Sequence, residues 1–253
     1  MSDPLTALRA SVDRLANLVR PLGDDEVTKH AYPSAWTIAD VVSHVGSSGV
    51  IWLRRLDDTL AGRETPDTFA PEVWAEWDAK APRAKAADGL AVDNDVTVWL
   101  ERLPSDEQPK ISVSMGPITF SWAEVILTRL NEHLLHEWDV AVALNPAATL
   151  GADGVMDVVD NLDLVARYTA QPIAPDRTLT VATTEPTRTF EIRVDRKNVD
   201  FSTIEPVDDA VLTMPSEAFI RLVYGRLDAE HTPASVLGDA AALDQLRQIF
   251  PGP

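Results

Sequence analysis

The stretch TRLNEHLLHEWDV, Thr128–Val140, combines an apolar helical stripe with a concentration of potential metal ligands. Leu130, Leu134 and Trp138 recur every fourth residue, which is the spacing of one face of an α-helix. The same stretch holds two of the five histidines of the 253-residue chain, together with two glutamates. The pattern predicts a long core helix over residues 122–144, and it raises the question of whether the polar residues are a solvated face or part of a metal site.

Two pairs of side chains in this stretch have metal-ligand spacing. Residues four apart on a helix lie one turn apart on the same face, so both members of such a pair can bind one ion. Glu132 and His136 have this spacing, and so do His133 and Glu137. The first pair borders the apolar stripe and the second lies further round the helix, but the spacing alone leaves both assignments open.

A second long helix is predicted over residues 37–61. Thr37 and Asp40 form a capping signature at its start, and apolar residues follow at helical spacing. His44 is isolated among these apolar residues. It is either a histidine at the edge of the core or a third metal ligand. Helical bundles often build metal sites from inward-facing side chains, and two histidines with one carboxylate suit a catalytic divalent metal.

Two glycines interrupt this predicted helix in the sequence GSSG, residues 46–49. Each glycine inside a helix costs about 1 kcal/mol relative to alanine, so the pair calls for an explanation. Close packing against a neighbouring helix is one explanation. Space for a ligand beside His44 is the other, and the sequence leaves both open.

The periodicity divides the chain into a helical first domain, residues 1–148, and a smaller α/β second domain, residues 149–253. Helical spacing in the first domain predicts four long helices, which cover about residues 4–20, 37–61, 89–103 and 122–144. Residues 63–87 are predicted to be irregular, and ISVSMGPITFS is predicted to be a turn or a short strand pair.

The second domain begins with a predicted helix over residues 153–170, which can pack on either domain. Beyond it, the pattern alternates with the period of β-strands. The predicted strands are RTLTVATT, RTFEIRVD and DAVLTM, and the predicted helices that follow them are SEAFIRLVYGRL and DAAALDQLRQIF.

The composition narrows the classes of function. The net charge of −18 argues against nucleic acid and anionic membranes as partners, because both attract basic surfaces. The N-terminal residues lack the apolar core of a signal peptide, so we expect a cytoplasmic protein. We expect this protein to be either a monomer or a homodimer. The chain has no cysteine, which excludes disulfides, a cysteine nucleophile and cysteine-ligated metals. Any thiol chemistry must use a thiol from outside.

The motifs WTIADVVSHV and RLNEHLLHEWDV resemble those of the mycothiol-dependent maleylpyruvate isomerase family, within the DinB-like metalloenzyme superfamily. The resemblance covers nearly the whole chain and implies an α+β fold. In that fold, a DinB-like four-helix bundle is followed by a small α/β domain similar to sterol-carrier domains. The residues that match the family motifs are Trp36, Asp40, His44, Arg129, Glu132, His136, Trp138 and Asp139.

The resemblance implies that His44, Glu132 and His136 hold a divalent metal, with zinc as the expected ion, and it sets His133 aside. It also implies mycothiol as the thiol cosubstrate. The metal-activated thiol would catalyse cis–trans isomerisation of an unsaturated keto acid. Two alternatives stay open: a mycothiol S-transferase that conjugates the thiol to an electrophile, and a non-catalytic protein that binds a metal or ligand.

A carboxylate substrate of this acidic protein requires a local positive group. By resemblance, Arg226 in the sequence YGRL is the candidate catalytic residue that contacts the substrate in the cleft between the domains. Arg221 is the competing residue for this contact. The alternative, that Arg226 is only a surface arginine at a helix end, also stays open.

Overall fold

The apolar stripes of the first 148 residues are buried in a helical bundle. The structure, a computed structural model, describes residues 3–33, 35–115 and 118–252. The chain divides into two compact units, Met1–Ala148 and Thr149–Pro253. The elements of the first unit are α1 (Pro4–Val19), α2 (Asp24–Val27), α3 (Ile38–Leu60), α4 (Phe69–Asp78), α5 (Pro82–Arg102), a short 3₁₀ helix (Gln108–Lys110), β1 (Ser112–Met115), β2 (Ile118–Ser121) and α6 (Trp122–Leu144).

Four long helices close into the predicted bundle. Helix α3 packs against α5 and α6, and α1 packs against the same two helices. Strands β1 and β2 pair in antiparallel fashion, which is the strand-pair alternative of the sequence prediction, and β2 leads directly into α6. The predicted turn at residues 116–117 lies outside the described residues. Capping boxes define the starts of α3 and α6, at Thr37 with Asp40 and at Ser121 with Glu124. The two helices that carry the candidate ligands therefore begin at well-defined residues.

The prediction of irregular structure over residues 63–87 was wrong. This segment contains α4 and the first turn of α5, which begins at Pro82. Proline is favoured at a first helical position because its missing N–H has no helical partner there. In α4, Val73 and Trp77 are buried with Ile51 of α3. The helix is stabilised by this packing, which its short and mixed sequence does not reveal.

The glycines of α3 serve close packing. A Cβ atom added at Gly46 would lie 2.6 Å from both the Cα of Gly89 and the Cη2 of Trp77. A Cβ atom added at Gly89 would lie 2.4 Å from the carbonyl oxygen of Val42. The backbones of α3 and α5 therefore touch at this crossing, and no larger residue fits. This result confirms the packing explanation of the GSSG sequence, and the explanation by ligand space was wrong for Gly46.

The second unit is a small mixed sheet with helices. Its elements are α7 (Ala152–Val159), α8 (Leu162–Thr169), β3 (Arg177–Thr184), β4 (Arg188–Val194), β5 (Val199–Ile204), β6 (Leu212–Pro215), α9 (Ser216–Val223), β7 (Leu237–Gly238) and α10 (Ala240–Ile249). The strand order is β5-β4-β3-β6-β7, with β3 and β6 parallel and the other neighbours antiparallel. The α+β class predicted from the sequence is confirmed.

Two local predictions in this unit needed correction. The single helix predicted over residues 153–170 is two helices, because the chain turns after Val159 and the side chain of Asn161 donates to the carbonyl of Asp157 at 2.7 Å. Both helices pack against α9. Strand β5 was not predicted, because it has no fully buried residue and therefore shows a weak alternation. Among the described residues, no helix is long and apolar enough to cross a membrane.

Candidate metal centre

Helices α3 and α6 bring three potential ligands together. His44 projects from α3, while Glu132 and His136 lie one turn apart on α6, and one ligand atom from each lies within 4.8 Å of the others. Nε2 of His44 is 3.4 Å from Oε2 of Glu132, and Nε2 of His136 is 3.7 Å from the same oxygen. Two imidazole nitrogens and one carboxylate oxygen are a donor set that suits a divalent cation and leaves coordination positions open.

The charge state of Glu132 is controlled by the two histidines. Burial alone would raise the pKa of this carboxyl, but hydrogen bonds and charges from His136 and His44 outweigh it and lower the pKa well below its usual range. The side chain of Glu132 is 45 % exposed, so its pairing with the imidazoles has more weight than its desolvation. Glu132 is therefore ionised at neutral pH, the form in which a carboxylate can bind a cation.

Asp139 orients the ring of His136 from behind. Its Oδ2 lies 2.9 Å from Nδ1 of His136, and its side chain is fully buried. Burial lowers the pKa of His136, but the hydrogen bonds with Asp139 and Glu132 outweigh it and leave the pKa raised. A neutral ring would donate its Nδ1 proton to Asp139 and direct the Nε2 lone pair toward Glu132, as in carboxylate–histidine–metal arrangements. In the sequence, Asp139 stands out only as part of the family motif, and its spacing of three residues from His136 is the signal for this contact.

Trp36 forms a wall of the cluster. Its ring centroid lies 5.2 Å from that of His44 and 6.0 Å from that of His136, onto which it stacks at 27°. The Trp36 carbonyl accepts a hydrogen bond from the backbone N–H of Ala31 at 2.9 Å, which holds the loop before α3 in place. The indole therefore packs against two of the three donor residues.

The other pair with metal-ligand spacing lies elsewhere. The two ring nitrogens of His133 contact Ser11 Oγ at 2.8 Å and Asp93 Oδ2 at 2.7 Å. Glu137 accepts from Nε of Arg14 at 2.8 Å. The contacts of His133 lie in the bundle interior, whereas that of Glu137 with Arg14 is part-buried, and together they join α6 to α1 and α5. The tertiary structure therefore separates the two pairs that spacing alone could not.

The Ser11–His133–Asp93 arrangement has the residue types of a nucleophilic triad, but it is not placed like one. All three side chains are buried, so a substrate cannot reach the hydroxyl. Asp93 also accepts a hydrogen bond from Arg129 at 3.0 Å, which makes the group a buried ion-pair network. We interpret it as the contact that sets the rotation of α6, because it anchors one face of that helix to two neighbours.

The two arginines that compete for a substrate contact differ in their partners. Arg221 is buried and pairs with Glu217 in a fork, with Nε to Oε2 at 2.8 Å and Nη2 to Oε1 at 2.9 Å. Arg226 is only 6 % exposed, and its Nη1 donates to the Tyr224 carbonyl at 3.0 Å. The reading of Arg226 as a surface arginine was therefore wrong. A role for it in catalysis stays a prediction.

Comparisons with known proteins agree with this architecture. The sequence pattern described as the mycothiol maleylpyruvate isomerase N-terminal domain matches residues 8–141. A crystal structure of a mycothiol-dependent maleylpyruvate isomerase has a TM-score of 0.65 and 15 % identity, covering 93 % of this chain and 95 % of that one. A histidine-to-alanine mutant of such an isomerase has a TM-score of 0.64 and 16 % identity, over 88 % of each chain. At these identities the likeness establishes the fold. No curated protein matches the chain.

Proposed function

Because the chain belongs to the mycothiol maleylpyruvate isomerase family, we propose that it is a metal-dependent enzyme in which mycothiol catalyses cis–trans isomerisation of an unsaturated keto acid. The observation that carries the proposal is the cluster of His44, Glu132 and His136, whose donor atoms lie within 4.8 Å of one another. The chain has no cysteine, so a thiol-dependent reaction would take its thiol from a cosubstrate.

His44, Glu132 and His136 would hold a divalent cation, and zinc is the expected ion because two imidazoles and one carboxylate are a common ligand set for catalytic zinc. When bound, the cation would lower the pKa of a thiol and keep it as the thiolate near neutral pH. Asp139 keeps the His136 ring in the orientation that presents Nε2. Trp36 packs against the rings of His44 and His136 and would limit their movement.

The thiolate of mycothiol would act as a nucleophilic catalyst. Its sulfur adds to one carbon of the activated cis double bond, and the displaced electron pair moves to the conjugated carbonyl as an enolate. The former double bond is now single and rotates. Return of the electron pair expels the thiolate and forms the trans double bond. No oxidant or reductant is consumed, and the thiol is regenerated. The protein therefore has to position the thiol and the substrate, and it does not have to supply redox chemistry.

Recognition of a carboxylate substrate would fall to an arginine, since a guanidinium matches the planar carboxylate with two parallel hydrogen bonds. Such a residue matters here because the net charge of −18 repels anions. We assign this role to Arg226 in preference to Arg221. The fork that Arg221 forms with Glu217 already uses its bidentate edge, so a substrate would have to displace a half-buried carboxylate.

Elemental analysis and a thiol-dependence assay on one purified sample test this function. We expect about one divalent ion per chain, and conversion of maleylpyruvate to its trans isomer only when mycothiol is present. The His136→Ala variant is the control that should lose both metal and turnover. Formation of a stable thiol–substrate adduct would support S-transfer instead. A metal-free protein that gives neither product would refute an enzymatic role of the cluster.

A further inference from the structure

A polar groove lies at the C-terminal end of α3, beside the β1–β2 hairpin, with a volume of about 470 Å³. Four hydroxyl-bearing residues line it: Thr59, Thr65, Ser112 and Ser114. Two arginines and two acidic residues complete most of the lining, so the charges of these side chains balance. Hydroxyls and balanced charges suit a neutral ligand that both donates and accepts hydrogen bonds, and they suit an anion poorly.

Arg55 is the residue of this groove with the most hydrogen-bonding capacity to spare. A guanidinium carries five N–H donors. Within the described part of the chain, Arg55 makes one hydrogen bond, from Nη1 to the Ser114 carbonyl at 2.7 Å, and its buried Nε has no acceptor. Arg63, by contrast, pairs with Asp58 through both Nε and Nη2, at 2.9 and 2.8 Å. Arg55 is therefore held in place through Nη1. Its Nε is buried, so Nη2, which is not among the buried unpaired atoms of the described residues, is the donor that a ligand can reach.

The groove and the candidate metal centre share one face of α3. Arg55 follows His44 by eleven residues, which is about three helical turns, so the two side chains project in nearly the same direction about 16 Å apart. Ser48 lies one turn from His44 on this face and is half-buried. His44 and Arg55 therefore lie on one side of α3, about 16 Å apart, a distance that an elongated ligand can span.

We propose that this groove binds the polyhydroxylated, sugar-like body of the thiol cosubstrate, while the sulfur lies at the His44–Glu132–His136 cluster. This assignment rests on the proposed function, which supplies the thiol. Mycothiol carries its cysteinyl group on a neutral body of a sugar joined to a cyclitol, and such a body matches a neutral, hydroxyl-lined groove. Arg55 donates hydrogen bonds to its hydroxyl oxygens, and the hydroxyl of Thr59 provides a further contact.

The test compares mycothiol with N-acetylcysteine, a thiol without the sugar body, by calorimetry on the zinc-loaded protein and by steady-state kinetics. In the Arg55→Gln variant we expect the Kd and KM for mycothiol to rise about tenfold or more, since a charged donor is lost. The kcat and the Kd for N-acetylcysteine should stay near the wild-type values. Thr59→Val, which keeps the shape of the side chain, should raise the Kd for mycothiol several-fold.

Arg102→Gln is the matched control, because Arg102 is an exposed arginine of the same unit outside the groove. It should bind both thiols like the wild type. If Arg55→Gln binds mycothiol as tightly as the wild type does, the groove assignment is overturned. The proposed function still holds in that case, provided that turnover depends on the thiol. A parallel loss of both thiols in Arg55→Gln also overturns the groove assignment, since that result indicates a disturbed metal centre. If neither thiol binds or supports turnover in the wild type, the proposed function fails as well.

Discussion

The carboxylate of Asp139 supports the ring of His136 from the side opposite Glu132. Asp139 Oδ2 lies 2.9 Å from His136 Nδ1, and His136 Nε2 lies 3.7 Å from Glu132 Oε2. Asp139 holds a proton on Nδ1, and a cation bound between His136 and Glu132 would take the lone pair of Nε2 in place of a second proton. This relationship makes the tautomer of His136, rather than its position alone, a testable part of the site.

Replacing Asp139 with asparagine should weaken metal binding without removing a ligand. The amide can donate a hydrogen bond to Nδ1, which would favour the tautomer with its proton on Nε2 and compete with coordination. Loss of such a supporting carboxylate typically costs ten- to a hundredfold in metal affinity. Competition with a chromogenic chelator would measure the change. Asp57→Asn, at an exposed position on α3, is the control that should match the wild type.

The two histidines of α6 should respond differently to alanine. His136→Ala should lose most of the bound metal, because it removes one of three ligands. His133→Ala should keep about one ion per chain but lower the free energy of unfolding by about 3–5 kcal/mol, since it leaves the buried Asp93 with one partner fewer. Metal content and urea unfolding on both variants check this prediction. Equal metal in wild type and His136→Ala would overturn the assignment of ligands.

Acid should release the metal. Histidine binds a metal as the neutral ring, so protons compete with the cation, and the free ring has a pKa of about 6.5. Occupancy should therefore fall as the pH is lowered through about 6. Equilibrium dialysis at constant free zinc, from pH 8 to pH 4, would follow the loss. A site that remained full at pH 4 would not contain two histidine ligands.

The buried Asp93 should make stability depend on pH. Burial raises the pKa of this carboxyl, but the charge and hydrogen bond of His133 and the charge of Arg129 outweigh it and leave the pKa lowered. The ionised form therefore stabilises the fold above the unfolded-state pKa of about 4, and this contribution is lost as the pH falls toward the lower folded-state pKa.

Asp93→Asn isolates this contribution. At pH 7 we expect the free energy of unfolding of the variant to be about 3–5 kcal/mol lower than that of the wild type. The reason is that the substitution leaves the charge of Arg129 buried without its carboxylate partner. The difference should shrink below pH 4. Urea unfolding of both proteins between pH 7 and pH 3 measures it. A constant difference across that range would show that the charge of Asp93 is not the source of its stability.

Substitution of Arg226 should separate charge from geometry. Arg226→Ala should lower kcat/KM for a carboxylate substrate by ten- to more than a hundredfold, the equivalent of about 1.5–3 kcal/mol. Arg226→Lys should restore only part of the lost kcat/KM, since an ammonium group lacks the planar fork of a guanidinium. Because Arg226 is buried, thermal unfolding must accompany the kinetics. Arg196→Ala, at an exposed position of the same unit, serves as control. If Arg226→Ala turns over every carboxylate substrate as fast as the wild type does, Arg226 does not bind the substrate carboxylate.

Local periodicity explains which parts of the fold were predictable. Helices α3 and α6 are each 23 residues long with strong capping signals, and the sequence predicted both. Helix α4 and strand β5 were missed, since their apolar residues become informative only when their packing partners are known. The burial of Arg226 was missed for the same reason. A helix-end arginine gives no local signal of what covers it.

The sequence by itself determined the candidate ligands, because metal-ligand spacing on a helix is a local property of residues four apart. It could not determine which of the pairs Glu132–His136 and His133–Glu137 meets His44. That choice depends on the rotation of α6 about its own axis. The rotation is set by contacts distant in sequence, in which Ser11 of α1 and Asp93 of α5 hold His133 in the bundle interior. Only the tertiary structure could therefore place Glu132 and His136 beside His44.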